Sequence, residues 1–217
     1  MVKGIIFDLD GTLLNTIDDL NNSINDTFKY YGLKKRNTTK ETMSQVGHGM
    51  KNFIEKCFPG KDEEYILKAL NVFLDAYSKQ YTKCTKPYEG INELIDFLIQ
   101  NGYKVGVNSN KNHEYTKHLI EMHFPNIDIN FVTGIKEGDK IKPDPSNVNK
   151  VIKKMGLNNK EVLYVGDSPT DLKTAANANL KFIAVSWGYR SKEILINNGA
   201  QIIIDEPKQI IEYISQK

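Results

Sequence analysis

The pattern of apolar and polar residues divides the chain into regions of two kinds. The short apolar run from Val2 to Phe7 ends at Asp8, which is the pattern of a buried strand. Residues 15–87 carry apolar side chains at helical spacing and no convincing strand pattern. Beyond this block, apolar strand-like runs alternate with helical segments. The pattern therefore predicts one strand, an all-helical block, and then a series of strands and helices.

Five short apolar runs beyond the helical block predict the remaining strands. They cover residues 103–107, 130–133, 162–165, 182–185 and 201–204. Strands that alternate with helices form a parallel sheet with helical crossovers. We therefore predict an α/β fold whose discontinuous core comprises residues 1–14 and 88–217, with an all-helical domain inserted at residues 15–87. Within the core, Asp144 is expected to cap a helix with Pro145 at its first position.

Polar groups that can carry chemistry follow several of these strands. The candidate residues are Asp8, Asp10, Ser109, Asn110, Lys142, Asp167 and Asp171. In open parallel sheets, ligands bind beyond the carboxyl ends of the strands, where the strand order reverses. Each group also has an ordinary explanation, since Asp-Gly forms turns, serine caps helices and lysine is usually solvated. Their combination favours one shared site over several unrelated turns.

The chemistry of such a site follows from its charges. Several carboxylates held together repel each other unless a hard cation neutralises them, and Mg²⁺ binds carboxylates together with substrate phosphate and water. A lysine and a hydroxyl beside the carboxylates suit phosphate oxygens. An aspartate can attack phosphorus as a nucleophile, and a second aspartate two residues further can act as general acid and base. The pattern thus favours phosphoryl transfer.

Four stretches in this order resemble the motifs of the haloacid dehalogenase superfamily of phosphohydrolases. They are Asp8-Leu9-Asp10-Gly11-Thr12, Ser109, Lys142-Pro143 and Gly166-Asp167-Ser168-Pro169-Thr170-Asp171. The resemblance covers nearly the whole chain. It implies a Rossmann-like parallel-sheet core, with the inserted helical domain as a mobile cap.

The resemblance also implies roles for the acidic residues. Asp8 would be the nucleophile and Asp10 the general acid and base. Mg²⁺ would be held by the Asp8 carboxylate, the Asp10 backbone carbonyl and Asp167, with Asp171 in support. Family dehalogenases lack the second aspartate of the first motif and need no Mg²⁺. Asp10 therefore argues for phosphoryl transfer over carbon–halogen cleavage.

The remaining core residues would bind the phosphoryl group. The resemblance implies that Ser109 and Lys142 contact its oxygens and that Asn110 adds a donor. Lys142 would also offset charge on the transferred group and is therefore counted among the catalytic residues.

Substrate choice depends on the helical domain in this superfamily. Val46-Gly47-His48-Gly49 and Trp187-Gly188-Tyr189 are among the stretches similar to phosphoglycolate phosphatases. Gly47, His48, Gly49 and Lys51 are the candidate substrate contacts, although relatives often carry arginine at the position of Lys51. The leading expectation is a Mg²⁺-dependent phosphatase for small phosphomonoesters, with 2-phosphoglycolate as substrate.

Three alternatives remain open at this point. The first two keep the chemistry and change the substrate, to pyrophosphate or to a sugar phosphate, the latter including a β-phosphoglucomutase. The third is a non-catalytic phosphate-binding module. Such a module would not need both a nucleophile and a general acid, so the pairing of Asp8 with Asp10 argues against it.

The composition and the lengths of the apolar runs bear on which partners the chain binds and where in the cell it is located. The 217 residues include 29 basic and 27 acidic residues, for a net charge of +2, and no basic stripe that would suit a nucleic acid. No apolar run approaches the ~20 residues of a membrane span, and the N-terminal apolar stretch is short for a signal peptide. Cys57 and Cys84 are far from any CxxC spacing. We expect a cytoplasmic protein, monomeric or homodimeric, that acts on a small phosphorylated metabolite.

Overall fold

The chain forms two compact units in a computed structural model that describes residues 1–215. The first unit combines Met1–Leu14 with Pro87–Lys217, and the second is Asn15–Lys86. The chain thus leaves the first unit soon after its first strand and returns to it more than seventy residues later. The fold is α/β, with helices in both units.

Strands occur mainly in the first unit. They are β1 (Gly4–Phe7), β2 (Leu14–Asn15), β3 (Lys86–Pro87), β4 (Lys104–Asn112), β5 (Val132–Ile135), β6 (Val162–Gly166), β7 (Lys181–Val185) and β8 (Ile203–Ile204). Strands β2 and β3 form a separate two-stranded sheet. The others form a six-stranded sheet in the order β5-β4-β1-β6-β7-β8, and all of its pairings are parallel.

The helices alternate with these strands or cluster in the second unit. They are α1 (Ile17–Tyr30), α2 (Thr39–Gln45), α3 (Met50–Cys57), α4 (Glu63–Ser78), α5 (Ile91–Gln100), α6 (His113–His123), α7 (Ser146–Met155), α8 (Pro169–Asn177), α9 (Lys192–Asn197) and α10 (Lys208–Ser215). Single turns of 3₁₀ helix precede β5 and β6. Within residues 1–215, no helix is both long enough and apolar enough to cross a membrane.

The centre of the sheet lies at β1, which is buried along its whole length between β4 and β6. Phe7 pairs with Val107 on one side and with Val165 on the other. The connections then proceed outward in opposite directions, to β5 on one side and to β7 and β8 on the other. The strand order therefore reverses at β1, and the residues that follow β1, β4 and β6 share one edge of the sheet.

Burial of apolar side chains against α7 fixes one face of this sheet. Ile6 of β1 and Tyr164 of β6 lie in one buried cluster with Val148, Val151 and Met155 of α7. These α7 residues recur at helical spacing, so one stripe of the helix faces the sheet. The packing holds the segment that leads into α7, which includes Lys142, in a fixed place relative to β1.

The second unit is a helical domain with its own core. Helix α1 packs against α4, and Phe28, Phe53 and Phe73 are completely or almost completely buried. Cys57 and Cys84 are free thiols. Asp19, also in this unit, is a completely buried acidic residue, with 0% of its surface exposed.

Three local features differ from the sequence predictions. Strand β4 continues to Asn112, so Ser109 and Asn110 lie within a strand and not after it, because pairing with β5 resumes at Asn112 after an irregularity. Helix α7 begins at Ser146 with Pro145 at its N-cap, and the Asp144 carboxylate accepts the Ser146 N–H. The short helix α9 was not predicted, since six residues carry little periodic signal.

Candidate active site

The first candidate residue, Asp8, directly follows the central strand β1. Its side chain is 11% exposed. Its Oδ1 atom accepts the N–H of Leu9 at 2.7 Å and lies 2.8 Å from the Lys142 ammonium. Asp8 is therefore a buried carboxylate whose Oδ1 atom is held in place by Leu9 and Lys142.

Close approach of two backbone segments encloses Asp167 at the end of β6. The Tyr189 N–H donates to Asp167 Oδ2 at 2.6 Å. Gly11 has a φ of +87°, and a Cβ atom there would lie 2.5 Å from that same oxygen. A Cβ on Gly188 would collide with the Asp167 side chain in the same way. Glycines at these two positions therefore let the loops after β1 and β7 close around the carboxylate.

Lys142 connects two of the carboxylates and is itself held by Asn110. Its ammonium lies 2.8 Å from Asp8 Oδ1 and 2.7 Å from Asp171 Oδ1. The Asn110 carboxamide accepts the Lys142 N–H at 2.7 Å and donates to the Lys142 carbonyl at 3.3 Å. Burial alone would lower the pKa of Lys142, but Asp171 and Asp8 outweigh it and raise that pKa well above its usual value. Lys142 is therefore a fixed positive charge beside Asp8.

Asp8, Asp167 and Asp171 form a buried acidic cluster. One oxygen of each lies within 4.8 Å of the others. Burial, and then the charge of Asp171, raise the pKa of Asp8 well above its usual value, against the opposing effect of Lys142. The same two causes raise the pKa of Asp167 to about 7. When ionised, the three carboxylates carry more negative charge than Lys142 offsets, and their hard oxygen donors suit Mg²⁺.

Asp10 lies beside this cluster but directs its carboxylate to a different lysine. Its Oδ1 atom is 2.8 Å from the ammonium of Lys111, whose side chain is fully buried while that of Asp10 is 21% exposed. Lys111 therefore holds the Asp10 carboxylate in place, and part of the Asp10 side chain stays exposed to solvent. Sequence reasoning missed Lys111 as a functional residue, although it follows Ser109 and Asn110 directly. Only the pairing of β1 with β4 reveals the contact.

Tyr164 is a second residue that sequence reasoning missed. Its buried hydroxyl accepts a hydrogen bond from Asn108 Nδ2 at 3.2 Å and lies 3.4 Å from Asp171 Oδ1. Burial raises the pKa of Tyr164 above its usual value, so the hydroxyl stays protonated and can donate. Tyr164 lies within the apolar run of β6. A tyrosine in such a run has the pattern of a core residue, so the pattern held no sign of a role in the site.

The other predicted contacts lie in two different places. Ser109 is buried in β4, two residues beyond the Val107 partner of Phe7, and its Oγ accepts the Lys111 N–H. Gly47, His48, Gly49 and Lys51 all belong to the helical unit. In that unit, Lys51 forms an exposed ion pair with Glu63 at 2.6 Å. The structure therefore gathers the core residues and leaves the helical-unit residues as predictions.

Comparison with known proteins agrees with this geometry. The family description "Haloacid dehalogenase-like hydrolase" matches residues 5–185. A phosphoglycolate phosphatase of Nitrosococcus oceani is 30% identical, over 96% of this chain and 91% of the relative. A phosphoglycolate phosphatase of Aquifex aeolicus is 31% identical, over 87% of this chain and 86% of the relative.

Solved structures show the same similarity. A protein assigned as a phosphoglycolate phosphatase from Lactobacillus delbrueckii subsp. bulgaricus superimposes with a TM-score of 0.92. It is 31% identical, and the match covers 98% of both chains. The similarity therefore extends over the whole chain, including the helical unit.

Proposed function

This chain belongs to the haloacid dehalogenase-like hydrolase family and is a phosphoric monoester hydrolase, and on that premise we propose that it cleaves small phosphomonoesters through a phosphorylated Asp8, with Mg²⁺ as cofactor. The observation that carries the proposal is the buried cluster of Asp8, Asp167 and Asp171 around Lys142. Buried carboxylates with raised pKa values are costly for the fold unless a ligand offsets their charge.

The first step transfers the phosphoryl group to Asp8. Oδ2 of Asp8 forms a bond to phosphorus while the bond from phosphorus to the leaving oxygen breaks. Asp10 donates its proton to that oxygen, and Lys111 holds the Asp10 carboxyl in place through Oδ1. The Lys142 ammonium offsets the negative charge on the transferred group. The proposal thus gives each of the two buried lysines a distinct task.

The second step returns the enzyme to its starting state. Asp10, now a carboxylate, takes a proton from water as the water oxygen attacks phosphorus. The bond between phosphorus and Asp8 breaks, inorganic phosphate leaves, and Asp10 is again protonated. The Asp8 and Asp167 carboxylates, the Asp10 carbonyl and the supporting Asp171 would hold Mg²⁺. That cation would supply charge neutralisation for the phosphoryl oxygens and the carboxylates.

We propose 2-phosphoglycolate as the leading substrate, because the relatives with 30% and 31% identity are phosphoglycolate phosphatases. Ser109 and Asn110 would bind the phosphoryl group. Residues 15–87 would act as the cap that selects the substrate, with Gly47, His48, Gly49 and Lys51 as its contacts. A cytoplasmic location stays a prediction.

Phosphate release from a panel of substrates tests this function. The panel contains 2-phosphoglycolate, pyrophosphate, sugar phosphates and nucleotides, each with Mg²⁺ and with a chelator. We expect the highest kcat/KM for 2-phosphoglycolate and no release with chelator. A preference for pyrophosphate or a sugar phosphate would keep the chemistry and replace the substrate.

Two other outcomes would overturn the proposal. Conversion of a sugar phosphate into its isomer without free phosphate would identify a mutase. A zero rate on every substrate, for folded protein with Mg²⁺ present, would identify a non-catalytic phosphate-binding module.

A further inference from the structure

A second concave site lies in the first unit, bounded by α6, β5 and α7. It has a volume of about 320 Å³, which is at the small end of the range for ligand pockets. Its charged and titratable lining residues are His113, Lys117, Lys136, Asp139, Lys150 and Lys154. We call this site the lysine cavity. None of these six residues belongs to the acidic cluster around Asp8.

Most of the positive charge in the lysine cavity is uncompensated. The one acidic lining residue, Asp139, pairs with Lys150 at 3.1 Å and also accepts the Lys136 backbone N–H at 3.1 Å. In the described part of the chain, no carboxylate lies within ion-pair distance of the ammonium groups of Lys117, Lys136 or Lys154. Like charges gathered around a concavity attract an anion more strongly than the same charges spread over a surface.

Two neutral side chains, those of Asn147 and His113, also line the lysine cavity. Asn147 lines the cavity and is only 4% exposed, and its side chain also hydrogen-bonds to the Asp139 carboxylate. Its Oδ1 atom accepts from Lys150 at 3.0 Å, which fixes the orientation of the carboxamide. The Nδ1 atom of His113 accepts the Gly134 N–H at 3.2 Å, so the neutral ring carries its proton on Nε2.

We propose that the lysine cavity binds a small phosphorylated anion through the ammonium groups of Lys117, Lys136 and Lys154. A phosphate group fits these donors because its tetrahedral oxygens accept hydrogen bonds from several directions at once. The cavity volume limits the ligand to a small molecule. The anion is either free phosphate or the phosphate group of an organic monoester.

Nuclear magnetic resonance of the His113 ring tests the proposal directly. Histidine-labelled protein is titrated in chelator, so that no substrate is turned over, with orthophosphate and separately with adenosine 5′-monophosphate at constant ionic strength. The variant His113→Gln assigns the signal. We expect the His113 signals to shift and reach saturation with at least one of the two ligands. Saturation by orthophosphate identifies free phosphate, and saturation by the nucleotide alone identifies an organic monoester.

Lysine variants then locate the binding. Lys117→Gln combined with Lys154→Gln removes two of the three uncompensated charges and should weaken the binding seen at His113 roughly tenfold. Lys153→Gln is the matched control, because Lys153 lies on α7 but does not line the cavity, and it should leave that binding unchanged. Product inhibition by phosphate reports the catalytic site separately and should be equal in all of these proteins.

The proposal fails if the His113 shifts follow ionic strength alone or never reach saturation. It also fails if the double lysine variant binds as tightly as the unaltered chain. Because the readout is binding in chelator, failure here would leave the phosphatase reaction untouched, and failure of that reaction would leave this test valid.

Discussion

The two units bury carboxylates in opposite ways. In the helical unit, Asp19 is completely buried, and its oxygens accept hydrogen bonds from the N–H groups of Cys84 and Thr85 and from the Thr85 hydroxyl, at 2.8–3.1 Å. In the sheet unit, Asp8 and Asp167 share a buried space with Asp171, and their pKa values are raised. The fold supplies hydrogen-bond donors to the oxygens of Asp19. The charges of the Asp8, Asp167 and Asp171 cluster are offset only in part.

This difference separates a structural acid from a functional one. Neutral backbone donors can satisfy a single buried charge without any ligand, and the result ties two segments of chain together. Three buried carboxylates around one lysine leave negative charge that a cation and a phosphoryl group can use. Burial alone therefore says little about function, and the identity of the partners says much more.

The largest expected effect comes from Asp8→Asn. The amide cannot attack phosphorus, so phosphate release should fall by about 10³-fold or more. Unfolding in denaturant without Mg²⁺ should occur at the same or a higher midpoint, because one repelled charge is removed from the cluster. Full activity in this variant would exclude Asp8 as the nucleophile.

Asp19→Asn should have the opposite outcome to Asp8→Asn: it should lower the stability of the fold and leave the activity nearly unchanged. An amide cannot accept hydrogen bonds on both of its ends, so the free energy of unfolding should fall by about 1.5–3 kcal/mol. The activity per folded molecule should stay within a factor of about two, since Asp19 is not part of the site. Unfolding in denaturant measures the loss of stability, and the rate of phosphate release per folded molecule measures the activity. A large loss of activity with full stability would mean that Asp19 is not merely structural.

After Asp8→Asn, Lys111→Met should have the next largest effect on activity. The Asp10 carboxylate would lose its buried ion-pair partner and its fixed orientation, so kcat should fall by about 10²-fold, which is a typical contribution of a general acid. KM should change little, because Lys111 contacts Asp10 and not the proposed substrate groups. Comparison of kcat and KM at saturating Mg²⁺ is the measurement. A rise in KM alone would assign Lys111 to substrate binding.

Mg²⁺ should stabilise the fold, and more so at higher pH. The pKa of Asp167 is raised to about 7 in the folded chain, against about 3.9 in an unfolded one. The metal-free folded state therefore binds more protons between these values, and its free energy of unfolding falls as pH rises through this window. Bound Mg²⁺ offsets the loss.

The measurement is the rise in Tm on adding Mg²⁺ at pH 5.5 and at pH 8. We expect the larger rise at pH 8 in the unaltered chain, and a much smaller rise in Asp167→Asn. An equal rise at both pH values, or an undiminished rise in the variant, would place the cation elsewhere.

Lys51 should give the smallest effect. Its exposed ion pair with Glu63 contributes little to stability in water, so Lys51→Met should leave Tm unchanged. If Lys51 binds the substrate, KM for 2-phosphoglycolate should rise severalfold with kcat unchanged. Glu63→Gln is the matched control, because it breaks the same ion pair and keeps the lysine. Equal KM values in all three proteins would remove Lys51 from the list of substrate contacts.

Much of the fold could be predicted from local patterns. The buried strand before Asp8 and the alternation of strands and helices each follow from short-range periodicity. The meeting of the core motifs at one sheet edge follows from parallel topology. Pairing that extends one strand past its apolar run, as β4 does through Ser109 and Asn110, left no local signal.

The contacts within the site were less accessible to sequence reasoning. The Asn110 carboxamide holds the backbone of Lys142, whereas the sequence suggested only a phosphate donor. Lys111 and Tyr164 lie in stretches with other obvious explanations, and their contacts join residues distant in sequence. Such side-chain pairings depend on strand register, which periodicity alone does not determine.

The most direct test is to look for the phosphoryl group on Asp8. The enzyme is mixed with p-nitrophenyl phosphate and Mg²⁺, quenched in acid during turnover, digested and mapped by mass spectrometry. The account predicts one phosphoryl group on the peptide that contains Asp8, and none on it in Asp8→Asn. Turnover by the unaltered chain with a phosphoryl group on a different residue, or undiminished turnover by Asp8→Asn, would contradict it.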